Sequence, residues 1–163
     1  MTRDDCEVLI EYLRRELEAY GALLAHFDRQ QQALFVPDPD ALLEFAQSME
    51  TSIKNTDRAR KERERQVAEI VTRDGHPEGT TLRQLIPSAP EVFHPMFDSF
   101  VREINRLVHG VRRRSRQNHE MLNRAYQMHR EAVEFVSRDR TPATYGAQGR
   151  LRSPHRGALS AAG

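Results

Sequence analysis

The sequence predicts an all-α fold: an elongated, antiparallel, coiled-coil-like bundle of three helices with a long third helix and a flexible C-terminal tail. Three observations carry this. Apolar residues return at alternating spacings of three and four through three long segments. Proline and glycine fall mainly between those segments. The composition of the 163 residues, 38% hydrophobic and 30% charged, with a mean hydropathy of -0.73, suits long helices around a narrow core.

The first helix is expected over about residues 4–35. Asp4-x-x-Glu7 has the form of a capping box, and Cys6, Ile10, Leu13, Leu17, Tyr20, Leu24, Phe27, Gln31 and Leu34 form a seam behind it. Val36-Pro37 stops the helix because Pro37 lacks an amide donor and restricts the residue before it. Asp38 and Pro39 then restart one as N-cap and first helical residue.

The second helix spans 39–73. Its stripe of Leu42, Ala46, Met49 and Ile53 passes through Thr56, Arg60 and Arg63 and returns to Val67 and Ile70, and Asp74-Gly75 ends it. Thr81-x-x-Gln84 predicts a short capped turn whose Leu82, Leu85 and Ile86 dock on the hairpin. Ser88-Ala-Pro-Glu91 reads as another capping box, opening a third helix over 89–137 with a kink near Pro95. Its seam runs through Phe93, Phe97, Phe100, Ile104, Leu107, Val111, Arg114, Asn118, Met121, Ala125, Met128, Ala132 and Phe135. The expected domain is therefore 1–138. Residues 139–163, with four of the eight glycines, read as a disordered tail.

The 25 Lys or Arg and 24 Asp or Glu give a net charge of +1, but unevenly. The first 50 residues carry 4 basic and 11 acidic side chains and the remaining 113 carry 21 and 13, so the first helix can screen the others. A turn at 36–38 sets Glu16 near Arg58 and Glu11 near Arg63. No apolar run exceeds four residues, against the roughly 20 a membrane span needs, so no membrane insertion is expected. The acidic start MTRDDCEVLI lacks a signal-peptide core, and the single Cys6 rules out an internal disulfide. A cytoplasmic location follows.

Catalytic machinery is not visible. His119-Glu120-Met121-Leu122-Asn123 has Asn123 where a zinc-protease helix needs its second histidine, and Glu91-x-x-His94 has no second copy to build a di-iron site. No metal, cofactor or enzymatic activity is expected. Arg112-Arg113-Arg114-Ser115-Arg116 could attract phosphates. No aromatic residue interleaves with these arginines, and 23 of the 25 basic residues are Arg, so a solvated face is favoured over nucleic-acid binding.

The end of the third helix is the most informative stretch. If it folds back on the second around residue 81, the part from Tyr126 to Ser137 overhangs the hairpin by about 15 to 18 Å. Its Met128, Val133, Phe135 and Val136 would then have no partner within the chain, and exposed apolar stripes commonly receive another protein.

Several segments together resemble a known family. They are ALFVPDPDALLEF, METSIKNTDRARKERERQ, TLRQLI, NHEMLNRAYQMHREAVEFV and TYGAQG. In this order and spacing they resemble the FlgN-type flagellar export chaperones across about residues 7 to 149. The resemblance implies a non-enzymatic, cofactor-free chaperone of flagellar type III secretion. Such a chaperone binds the hook-associated proteins of the hook-filament junction, prevents their premature assembly and delivers them to the export gate or its ATPase complex. It also implies a client surface on Asn118, Met121, Leu122, Ala125, Tyr126, Met128 and His129, which the overhang extends to Phe135 and Val136. In the tail it points to Tyr145, with Gly146 and Gly149, as the contact with the export gate or a client. For Asn118, a register-setting place in the seam and a hydrogen bond to the client stay open side by side. The rival readings are an arginine-rich coiled-coil nucleic-acid binder and a self-associating structural coiled coil.

Overall fold

The computed structural model describes the backbone of residues 1–33 and 39–138 and the side chains of residues 1–32 and 47–137. Among them the fold is all-α: α1 (Arg3–Ala33), α2 (Pro39–Arg73), the one-turn α3 (Leu82–Leu85) and α4 (His94–Arg138), with 3-10 turns at Ile86–Ser88 and Glu91–Phe93. The expected stop at Val36-Pro37, the Asp38 cap, the seam positions Leu34, Leu42 and Ala46, and Tyr145, Gly146 and Gly149 lie outside these descriptions. The chain divides into two units, Met1–Leu122 and Asn123–Gly163.

Helix α1 is capped two residues earlier than Asp4-x-x-Glu7 predicts. The Thr2 hydroxyl accepts from the Asp5 amide at 3.2 Å, while Asp5 Oδ2 accepts from the Thr2 amide and hydroxyl, each at 2.7 Å. Both frames satisfy the capping pattern. The difference is that Asp5 also receives two bonds from the Arg73 guanidinium, at 2.8 and 2.6 Å, and so ties the start of α1 to the end of α2. Those bonds, aided by Thr2, hold the Asp5 carboxyl well below the usual carboxylate range against the opposing effect of burial.

Helices α1 and α2 run antiparallel, and small residues meet across their interface. The Thr56 hydroxyl donates to the Ser52 carbonyl at 2.9 Å and lies 3.3 Å from the Ala19 carbonyl across the interface. Ser52 and Thr56 are accordingly buried, whereas Ile53, expected in the seam, is 48% exposed. The charged pairing runs about one helical turn beyond the expected register. Arg63, not Arg58, reaches Glu16 with two bonds at 2.9 and 3.2 Å, and Glu11 instead pairs with Arg14 and Arg15 on its own helix.

Gly75 ends α2 with φ +71. The His76 amide donates to the Val71 carbonyl at 3.0 Å and the Gly75 amide to that of Thr72 at 3.4 Å, the paired bonds of a Schellman cap. The Thr81 capping box is present in full, and Leu82, Leu85 and Ile86 are buried as expected. They join Cys6, Leu9, Ile10, Leu13, Val67, Ile70, Val71, Phe97 and Ile104 in one core.

The start of α4 differs from expectation. Ser88 makes no cap; its hydroxyl donates to the Leu85 carbonyl at 2.7 Å. A 3-10 turn over Glu91–Phe93 precedes the helix, and His94 Nε2 donates back to the Ala89 carbonyl at 2.9 Å. Pro95 is the second residue of α4, where an amide would have no intrahelical partner anyway. Its missing amide therefore breaks no bond of α4.

Successive contacts set α4 parallel to α1. Gly110 faces Leu24, Arg114 pairs with Asp28, and Asn118 Nδ2 donates to the Phe27 carbonyl at 2.8 Å and to Gln30 Oε1 at 2.9 Å. Three seam arginines are partnered inside the chain: Arg63 with Glu16, Arg60 with Asp57 and Arg114 with Asp28.

Candidate functional site

The residues expected to receive a partner divide between the two units. In the first, Asn118 is 1% exposed and is engaged by α1, so it serves the seam and is not part of an open face. Met121 is half-buried, its sulfur 3.7 Å from Gln31 Nε2. Leu122 is exposed beside it.

In the second unit every described side chain of α4 from Asn123 to Ser137 is exposed. At about 100° per residue these side chains sort into two halves. One half carries Ala125, Tyr126, Met128, His129, Ala132, Val133, Phe135 and Val136, spread over about 180° of the helix. The other carries Asn123, Arg124, Gln127, Arg130, Glu131, Glu134 and Ser137, with Arg130 and Glu134 paired at 3.6 Å. Only His129 interrupts the first half, and nothing apolar interrupts the second.

The structure therefore brings Ala125, Tyr126, Met128, His129, Phe135 and Val136 onto one side. Tyr126, Met128 and Phe135 expose 68%, 70% and 74% of their surfaces, unusual for large apolar groups gathered on one face. Ala132 and Val133 belong to the same half, although the client surface drawn from the sequence omits them. The signal for them is present: Val133 follows Tyr126 by seven and His129 by four, and Ala132 follows Met128 by four.

A half-apolar helix of this kind can pack against apolar side chains of another protein. Among the described residues no cluster of His, Cys, Asp or Glu could hold a metal ion, and no helix is long and apolar enough to cross a membrane. His119 and Glu120 are exposed. Within the arginine cluster, Arg114 is taken by Asp28, while Arg112, Arg113 and Arg116 point outward.

The FlgN family model, described as FlgN protein, matches residues 1–153. No curated protein and no solved structure matches the chain. The match spans both units, the connector at Thr81 and the amphipathic end of α4, and on it the chain belongs to the FlgN family of flagellar export chaperones.

Proposed function

We propose that this chaperone binds hook-associated proteins of the hook-filament junction in the cytoplasm, keeps them from assembling early and passes them to the export gate. The observation that carries this reading is the apolar half of α4 from Ala125 to Val136, exposed along its length. A coiled-coil seam is a narrow stripe, whereas this face covers about 180° and offers two adjoining rows. Met128, Ala132 and Phe135 form one row, and Tyr126, His129, Val133 and Val136 the other. A client that lays amphipathic helices against both rows keeps its own apolar faces covered until secretion. Met128 adapts to partners of different shape because its side chain is unbranched and polarisable. The antiparallel bundle of long helices serves as the scaffold for this face, and Tyr145, flanked by Gly146 and Gly149, is the candidate contact with the export gate.

Calorimetric titration with a purified hook-associated protein tests the reading. Saturable one-to-one binding is expected, lost or weakened by about a hundredfold in Met128→Asp, which places a charge in the apolar half. Helical content by circular dichroism should be unchanged, because Met128 is exposed. Unaltered affinity in that variant would remove this face from the client site.

A further inference from the structure

A second surface, within the first unit, is left unexplained by the client face. Leu23 and Phe27 of α1, Ile53 of α2 and Val111 of α4 line an open groove of about 420 Å³, edged by Arg112 and Arg116. Two of its features are costly in isolation. Ile53 is 48% exposed although it lies between the buried Ser52 and Thr56. Arg112 and Arg116 stand one turn apart on α4, a like-charge spacing that weakens a helix, and neither has a carboxylate partner among the described residues. Arg116 donates instead to the carbonyl of Arg112 at 3.3 Å. Their neighbour Arg114 differs in being satisfied by Asp28.

We infer that this groove is a docking site for an acidic amphipathic helix of a partner protein. An apolar side chain of that helix seats over Ile53 and Val111, and carboxylates one turn apart meet the guanidiniums of Arg112 and Arg116. The two features then explain each other: the apolar floor supplies burial, and the paired cations set the orientation and select an acidic partner. Nucleic acid fits less well. Phosphate contacts need no apolar floor, and Phe27, the groove's one aromatic ring, is half-buried. The site is separate from the client face and does not depend on it.

The test uses the full chain and a fluorescein-labelled helical peptide with leucines on one face flanked by glutamates. Two control peptides replace the glutamates by glutamine or the leucines by serine, and a labelled single-stranded DNA is the fourth probe. Saturable binding of the acidic amphipathic peptide is expected by anisotropy, about tenfold weaker for either control peptide. In a methyl-labelled sample the Ile53 and Val111 signals should shift on titration. The double variant Arg112→Glu, Arg116→Glu should weaken binding about tenfold or more, and Ile53→Ser should weaken it independently. All three positions are at the surface, and circular dichroism checks that the variants fold. Met128→Asp should leave peptide binding intact. Absence of saturable binding, insensitivity to the Arg112 and Arg116 changes, loss of binding in Met128→Asp, or tighter arginine-dependent binding of the DNA would each overturn the inference.

Discussion

Asn118 of α4 donates from its amide to the backbone carbonyl of Phe27 in α1 at 2.8 Å, and the asparagine is buried where the two helices meet. The same amide nitrogen bonds Gln30 at 2.9 Å, so α4 is fixed axially against one turn of α1. An apolar side chain there would pack in several registers, whereas the amide nitrogen of Asn118 finds both acceptors only in this one.

Replacing Asn118 by Ala removes both bonds and leaves the Gln30 amide oxygen without this donor. A loss of about 1 to 3 kcal/mol is expected, measured by urea unfolding. Because Asn118 is not part of the exposed face, affinity for a client should change little once the protein is folded. A large loss of affinity with unchanged stability would mean that Asn118 contacts the client.

The buried pair of Glu16 and Arg63 predicts a contrast with Glu11. Glu16 has a side chain only 2% exposed, and Arg63 is its bidentate partner. Arg63→Ala strands a buried carboxylate and should cost about 3 kcal/mol or more. Glu11→Ala breaks only exposed contacts within α1 and should cost less than about 0.5 kcal/mol. Equal effects in a thermal melt would contradict the pairing of Arg63 with Glu16 in place of Glu11.

Acid should loosen the junction between the start of α1 and the end of α2. The Asp5 carboxyl is held below its ordinary value by Arg73, so folding favours its ionised form. That contribution is complete above the unfolded carboxylate range, near pH 4. It is lost progressively as the pH falls toward the depressed folded value. Asp5→Asn should therefore be less stable than the parent at pH 7 and show a flatter decline below pH 4. Parallel stability profiles for the two proteins would count against the Arg73 pairing.

Two glycines should respond oppositely to alanine. Gly75 has φ +71 with open space around its would-be Cβ, so Gly75→Ala meets only the backbone penalty of the left-handed region, about 1 kcal/mol or more. Gly21 lies inside α1, also with open space, and Gly21→Ala should stabilise by up to about 1 kcal/mol through helix propensity. Melting temperatures of the two variants should move in opposite directions.

The sequence by itself determined that the chain is helical and where several of its boundaries fall. Pro39, Asp74-Gly75 and the Thr81 box act through bonds and dihedrals within a few residues, so no distant partner is needed to read them. The inward stripe of α4 as far as Met121 and most of the apolar half beyond it were legible for the same reason, since periodicity is local. Register was legible at the backbone but not in the long side chains: the contact of Thr56 with Ala19 keeps the pairing that a turn at 36–38 sets, whereas Arg63 reaches about one turn further, to Glu16. The choice of Thr2 over Asp4 as cap depended on Arg73, the exposure of Ile53 on the small residues beside it, and the burial of Asn118 on Phe27. Each of these was decided by the tertiary structure, because each rests on groups far apart in the chain whose meeting no local pattern encodes.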